Sequence, residues 1–227
     1  MRRGEVDVER YADVVDSALL ERLRAAMTTA ASEPAEVVID SQQRVVERAR
    51  RTRSVDVPDE LATLTRQRLD GLRPRLESRF STRLASCEQP QFLRYEVGDR
   101  FLAHQDGAAG AHDDSPLSRR HVSVVLFVTG RKADSACGDV AGGQLMFFDT
   151  SPSTTWQTCR VPIHAPAGAA VAFRSDAIHE VTPVRRGQRL SVVTWFGRVA
   201  ETDAKNVPSS PRREHHDGGD DRRAGAA

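Results

Sequence analysis

Three pairs of the form His-x-Asp stand in this chain: His104-Gln-Asp106, His112-Asp-Asp114 and His215-His-Asp217. On an extended strand residues i and i+2 point the same way, so such a pair can offer an imidazole and a carboxylate to one metal ion. Two imidazoles and one carboxylate on one face of a first-row transition metal leave its other positions open to co-substrates. The second histidine must then come from elsewhere in the chain. His179 answers that need, and Arg189 follows it at the head of the next apolar run. A guanidinium is a planar, always-charged fork that matches a carboxylate in shape. Taken singly, each residue has a plainer explanation: a histidine that fills a core gap, an arginine at a solvated strand end. Their surroundings decide between the two.

Those surroundings separate the three pairs. His215 lies in the run Arg-Arg-Glu-His-His-Asp-Gly-Gly-Asp-Asp-Arg-Arg, which reads as a solvated charge cluster. His112 sits in Gly107–Ser118, small and polar, with no strand to fix its direction. Only His104 and Asp106 close a strand-like segment. His121 and His164 read as ordinary strand residues.

The elements that must position these groups fall into two halves. Upstream, Tyr11–Val15 reads as a short strand, and Asp16 or Ser17 can cap a helix carrying Leu19, Leu20, Leu23, Ala26 and Met27 on one face. Glu36–Asp40 suggests a further strand, while Gln42–Arg53 is charged and without clear periodicity. Pro58 then opens a helix with Leu61, Leu64, Leu69, Leu72, Leu76 and Phe80 at helical spacing, kinked or split by Gly71 and Pro74. Residues 1–90 are therefore expected to form a helical support layer packed on the core.

Downstream the pattern becomes strand-like. Phe92–Val97 and Arg100–Gln105 flank Gly98-Asp99 as a tight hairpin; His121–Val128, Gln144–Phe148, Arg160–His164, Ala169–Phe173, Ile178–Val184 and Leu190–Phe196 follow. His179 and Arg189 would then lie on neighbouring antiparallel strands. The loops 107–118 and 130–143 are long and polar, as functional loops often are. Short strands with turn signals and no helix between them predict a sandwich or jelly-roll barrel over 91–199. From residue 200 to 227 the chain is charged and apolar-poor, which predicts a disordered tail.

Composition bounds the partners. Lys plus Arg, at 33, balances Asp plus Glu, at 32, in 227 residues, so no phosphate backbone is favoured as a ligand and no membrane surface either. No apolar run reaches membrane-spanning length. Cys87, Cys137 and Cys159 are odd in number and form no CxxC pair, which fits a reducing, cytoplasmic compartment.

Five segments occur in a telling order: Arg94-Tyr95-Glu96-Val97-Gly98-Asp99-Arg100-Phe101, His104-Gln-Asp106, Gly142-Gly143-Gln144-Leu145, His179-Glu-Val-Thr-Pro-Val with Gly187-Gln-Arg189, and Trp195-Phe196. Together they resemble the prolyl 4-hydroxylase-like branch of the 2-oxoglutarate- and Fe(II)-dependent dioxygenase superfamily, over residues 90–198. The resemblance implies an α+β, mainly β fold: a double-stranded β-helix (jelly roll, cupin-like) supported by the N-terminal helical layer. It implies His104, Asp106 and His179 as Fe(II) ligands, Arg189 as the clamp on the distal carboxylate of 2-oxoglutarate, and Tyr95 near that co-substrate. O2 completes the set, with ascorbate an optional addition. The implied reaction is hydroxylation of a C–H bond, peptidyl proline being favoured, with release of succinate and CO2.

Departures from the family pattern are visible. Many relatives carry lysine at the position of Arg189, and Phe127 stands where some offer a tyrosine to the same carboxylate, leaving Ser123 as a substitute partner. Trp195 reads as core, and Gly142 and Gly143 as backbone geometry. The alternatives are a hydroxylase of a free amino acid or other small molecule within the same superfamily and, from a different class, a non-catalytic jelly-roll binding module. A nucleic-acid demethylase is disfavoured by the charge balance and by Trp195, where some such enzymes carry a second arginine. The sequence leaves the oligomeric state open.

Overall fold

A computed structural model describes residues 7–35, 37–39, 42–44, 50–107, 116–130, 140–148 and 160–199. Its first part runs β1 (Val8–Tyr11), α1 (Ser17–Thr29), β2 (Ser32–Pro34), β3 (Val37–Ile39), β4 (Gln42–Arg44), β5 (Arg50–Arg51), β6 (Arg53–Val55), α2 (Asp59–Asp70), α3 (Arg73–Phe80) and β7 (Leu84–Cys87). There follow β8 (Gln91–Tyr95), β9 (Arg100–His104), α4 (Pro116–Arg119), β10 (Arg120–Phe127), β11 (Ala141–Gly142), β12 (Leu145–Phe148) and β13 (Arg160–Ile163). The last elements are β14 (Ala170–Arg174), β15 (His179–Val181), β16 (Val184–Arg186) and β17 (Arg189–Arg198). Expectations for the His112 and His215 pairs, Cys137, Cys159, most of both long loops and the 200–227 tail fall outside the described residues.

The helices start and stop where their sequence says. The Asp16 carboxylate accepts the Leu19 N–H at 2.8 Å, which satisfies one orphan donor of α1. Pro58 precedes α2, whose first turn carries Asp59 and Glu60. Gly71 ends α2, and Pro74 sits in the first turn of α3, where its missing N–H costs nothing. Leu19, Leu23, Met27, Leu61, Leu69, Leu72 and Leu76 form one buried layer with Val122, Val124, Leu126, Leu190, Val192 and Phe196 of the sheet beneath. Each such side chain contributes about 1.5–3 kcal/mol by leaving water.

That sheet has the order β1-β14-β10-β17-β8-β6-β2, with β7 also paired to β17. A second sheet, β13-β12-β15-β9-β5, faces it, and two short pairs, β11-β16 and β3-β4, complete the described strands. The fold is α+β and mainly β, with the helices on one face of the larger sheet. Between the sheets lie Val125, Phe127, Leu145, Phe147, Ile163, Val171 and Phe173 at one end, and Leu93, Tyr95, Val181 and Val184 at the other.

Four expectations require correction. The first ninety residues do supply the helices, but they also give β1, β2, β6 and β7 to the larger sheet and β5 to the smaller. These strands, of two to four residues, are too short for alternation to betray them; pairing to an existing edge makes them strands. The first of them is Val8–Tyr11, ahead of the expected Tyr11–Val15.

Second, β8 and β9 are not a hairpin: β8 pairs with β17 and β6, whereas β9 pairs with β15 and β5. Gly98, at φ 89°, and Asp99 turn the chain from one sheet to the other. The buried Asp99 carboxylate accepts the Glu96 N–H at 2.8 Å and an ion pair from Arg51 at 3.1 Å, which holds that crossing. Third, Ile178–Val184 is not one strand, because Pro183 cannot donate to a ladder; β15 ends before it and β16 begins after it. Fourth, β15 and β17 are not neighbours: β12 and β9 flank β15 in the smaller sheet, and β17 lies in the larger one. His179 and Arg189 approach one cleft from opposite sheets.

Candidate active site

Strand alternation divides β17 into two faces. Leu190, Val192 and Phe196 face the helices, so Arg189, Ser191, Val193 and Trp195 face the smaller sheet. Arg189 pairs in register with Tyr95, Ser191 with Phe127 and Trp195 with Ser123, and cross-strand partners share a face. On the opposite sheet His179 of β15 is paired in register with His104 of β9. The Tyr95–Arg189 and His104–His179 pairs and Trp195 border one cleft of about 560 Å³, with Asp106 also in its walls.

One end of the cleft holds the cluster expected from the sequence. His104, Asp106 and His179 bring one donor atom each within 4.8 Å of one another. The Asp106 carboxylate lies 3.5 Å from His104 Nε2 and 3.6 Å from His179 Nε2. Both Nδ1 atoms are already engaged, His104 with the Leu102 carbonyl at 2.8 Å and His179 with the Ala177 carbonyl at 3.0 Å. A carbonyl only accepts, so Nδ1 carries the proton in each ring and both Nε2 lone pairs point at the shared space. Rotation is blocked as well. Phe101 stacks on His104 with ring centroids 3.5 Å apart, and Phe173 meets His179 edge-on at 4.8 Å.

The charge states suit a divalent ion. Burial pushes the His179 imidazole down to about 4, against a partial counter-effect from Asp106, so it is neutral near pH 7. Burial alone would raise Asp106, but the His179 and His104 imidazoles beside it hold its carboxyl well below the usual carboxylate range. The ionised carboxylate is therefore ready as a ligand. Two imidazole Nε2 atoms and one carboxylate on adjacent strand ends form a facial N,N,O set of the kind non-haem iron oxygenases use. The donor set fits the group that the sequence resemblance implies.

Arg189 occupies another wall. It is 4 % exposed, and among the described residues no carboxylate pairs with it. One guanidinium N–H donates to the Ser191 hydroxyl at 2.7 Å; the Tyr95 ring lies 4.9 Å and the Phe127 ring 5.6 Å from the guanidinium carbon. Burial pulls its pKa down, with Tyr95 opposing. A buried cation without an anion is costly, and a carboxylate ligand would relieve that cost. Gly143 lies close behind: a Cβ there would come within 3.0 Å of Arg189 Cδ, and its φ of 60° also favours glycine.

Other members were not legible in advance. Ser123 stands opposite Trp195 in register, and its hydroxyl lies 2.9 Å from that of Ser175. The hydroxyl beside Arg189 is that of Ser191. Trp195, expected in the core, is buried yet borders the cleft, and the Arg120 guanidinium carbon sits 3.5 Å over its ring. Arg120 is held in turn by a two-pronged pair with Glu88, at 2.9 and 2.7 Å. Alternation from Arg189 would have placed Ser191 and Trp195 on its face, had the direction of β17 been known.

Comparison with known proteins agrees with this geometry. Residues 90–197 match the family model described as 2OG-Fe(II) oxygenase superfamily. A PKHD-type hydroxylase of Paraburkholderia phytofirmans is 33% identical over 118 residues, which are 52% of this chain and 46% of the relative. The PKHD-type hydroxylase YbiX of Shigella boydii serotype 18 is 32% identical over 118 residues, 52% of this chain and 47% of that protein. The chain spans about half the length of the curated relatives it matches. Among solved structures, a Pseudomonas putida prolyl-4-hydroxylase superposes with a TM-score of 0.63 at 24% identity, covering 86% of this chain and 94% of that one. A prolyl hydroxylase from Trichoplax adhaerens, in complex with a hypoxia inducible factor oxygen degradation domain peptide fragment, gives 0.60 at 15% identity and covers 90% and 88%. These likenesses agree with the double-stranded β-helix expected from the sequence.

Proposed function

Residues 90–197 fall within the 2OG-Fe(II) oxygenase superfamily, and on that premise we propose that the protein is an Fe(II)- and 2-oxoglutarate-dependent dioxygenase that hydroxylates a C–H bond, with peptidyl proline as its prime substrate. One observation carries the reading: the His104–Asp106–His179 set and the carboxylate-free Arg189 border the same cleft. His104 Nε2, Asp106 and His179 Nε2 would hold the iron, which when bound supplies O2 activation coupled to decarboxylation of 2-oxoglutarate to succinate and CO2.

The residues of the chain have separate tasks. Arg189 fixes the distal carboxylate of 2-oxoglutarate, and Tyr95 and Phe127 wall that carboxylate off from water, which strengthens the ion pair. Ser191 holds one prong of the guanidinium, so the clamp is oriented before its ligand arrives. The Nδ1 bonds to Leu102 and Ala177 keep both imidazoles in the ligating tautomer. A five-carbon dicarboxylate fills only part of a cleft of about 560 Å³, which leaves room for an extended peptide. The prolyl hydroxylase from Trichoplax adhaerens, in its peptide complex, supports a peptide substrate.

Among the described residues no helix is long and apolar enough to cross a membrane. A cytoplasmic location accords with the odd cysteine number and with Cys87, a buried free thiol. The test is succinate formation from 2-oxoglutarate under Fe(II) and O2, with and without a panel of proline-containing peptides. Peptide-stimulated turnover with hydroxyproline in the product is expected. Stimulation only by free amino acids would exclude the peptide, and no turnover with iron bound would exclude the enzyme.

A further inference from the structure

Asp106 and His179 lie far apart in the chain, yet one turn holds both. It spans 174–177, between β14 and β15, and is closed by the Ala177 N–H donating to the Arg174 carbonyl at 2.9 Å. The three carbonyls that follow are all committed to the metal-site segments. That of Ser175 accepts the N–H of Asp106 at 3.0 Å and that of Gly107 at 2.9 Å. That of Asp176 accepts from the side-chain amide of Gln105. That of Ala177 accepts from His179 Nδ1 at 3.0 Å. With both lone pairs of the Ser175 carbonyl in use, the bend after His104 is fixed by backbone groups and does not depend on any rotamer.

The turn is itself anchored. The Ser175 N–H donates to the His121 carbonyl at 3.0 Å, and the Ser175 and Ser123 hydroxyls lie 2.9 Å apart, so two contacts tie it to β10. The Arg174 guanidinium donates twice to the Asp176 carboxylate, at 3.1 and 3.0 Å, and braces the turn from outside. Gly107 permits the close approach. A Cβ there would stand 2.7 Å from the Arg120 carbonyl, 3.0 Å from Ser175 Cβ and 3.1 Å from the Leu117 carbonyl. Backbone atoms on two sides cannot give way as the tip of a flexible side chain could, so any larger residue must push the bend off the turn.

We propose that the 174–177 turn is a cradle that sets Asp106 against His179 before a metal arrives, with Gly107 and the Arg174–Asp176 ion pair as its positioning residues. The proposal rests on the metal-site reading above. Its physical gain is preorganisation: ligands already held in place lose little conformational freedom when the ion enters.

The test starts with the metal-free full chain, in which amide hydrogen exchange followed by NMR reads the cradle directly. The Asp106 and Gly107 amides should exchange at least about 100-fold more slowly than in an unstructured chain, although both lie beyond the end of β9. Anaerobic titration with Fe(II), and with Co(II) for its d–d absorption, then reads the site. Gly107→Ala is expected to speed exchange at Asp106, weaken metal affinity about 10- to 100-fold and shift the Co(II) bands. Asp176→Ala should act in the same direction but less, because the backbone bonds remain. Leu76→Ala, in the helical layer, is the control: it should lower thermal stability and leave metal affinity and the Co(II) bands where they were. A parent chain that binds neither metal would overturn the metal-site reading and the cradle with it. A parent that binds, with Gly107→Ala and Asp176→Ala binding equally tightly and with unchanged bands, would overturn the cradle alone. Unprotected Asp106 and Gly107 amides in the metal-free parent would do the same. Should Gly107→Ala fail to fold, Asp176→Ala and the exchange rates of the parent decide.

Discussion

The two faces of β17 are built from alternate residues of one strand, yet they obey opposite rules. Toward the helices, Leu190, Val192 and Phe196 are almost wholly buried against the leucines of α1, α2 and α3. Toward the cleft, the same strand presents Arg189 with no carboxylate partner and Trp195 with a buried indole N–H that has no acceptor among the described residues. The first face stabilises the fold. The second holds polar groups whose desolvation a ligand would offset, which is the condition of a site prepared for an anion or an amide. Stability and chemistry are thus separated across the thickness of one sheet and not along the chain.

The largest effect that would sharpen this contrast belongs to the His104–Asp106–His179 cluster. His179→Ala should abolish tight Fe(II) binding and 2-oxoglutarate turnover while thermal unfolding shows a folded chain, measured by metal titration and calorimetry. On the opposite face, Phe196→Ala should cost about 3–5 kcal/mol of stability through the cavity it leaves, with metal affinity of the folded molecules unchanged. If the Phe196 variant lost iron as completely as the His179 variant, the two faces would not be separable.

Arg189→Ala should weaken 2-oxoglutarate binding to the iron-loaded, anaerobic protein by about 3–5 kcal/mol, since a carboxylate would enter the pocket unpaired. The ligand-free variant should unfold no earlier than the parent, because a buried unpaired cation has been removed. Fe(II) binding should survive. Unaltered 2-oxoglutarate affinity would move the clamp elsewhere, with Arg185, Arg186 and Arg198 the next to be tested. Arg189→Lys keeps the charge but loses the fork, and its loss should be smaller.

The metal-free protein should also respond to pH. His179 titrates at about 4 in the fold against an ordinary 6.5. Between those values the unfolded chain binds the extra proton and the folded one does not, so stability is full above about pH 6.5 and falls as the pH drops toward 4. The shift corresponds to about 3 kcal/mol. Asp106, whose folded pKa is depressed below the carboxylate range, loses its contribution only at lower pH still. Denaturant titrations of the parent between pH 7 and 4 should show this slope, and His179→Gln should flatten it. An identical slope in that variant would assign the protons to other groups.

Much of this was written in local sequence. Leucine spacing marked the helices, Asp16 and Pro58 their starts, and Gly71 with Pro74 the break between α2 and α3, because these signals act within a few residues. His104 and Asp106 could be chosen over two rival pairs since only they close a strand, and the ordered motifs added His179, Arg189 and Tyr95. The places of Ser191 beside Arg189 and of Trp195 on the cleft were hidden. A serine or tryptophan in a strand gives no sign of which face it takes until the strand has neighbours.

What only the tertiary structure decided is therefore sidedness. The sequence determined the residue types of the cluster, the clamp and the helical layer, because composition and short-range spacing are properties of the chain itself. It made β8 and β9 look like a hairpin and His179 and Arg189 like residues of neighbouring strands. Pairing across the chain reversed both: the Gly98-Asp99 turn crosses between sheets, and β15 takes β12 and β9 as its two neighbours, which leaves no edge for β17. Hydrogen bonds between strands far apart in sequence choose the partners, and that choice places His104 and His179 in one sheet and the arginine opposite them in the other.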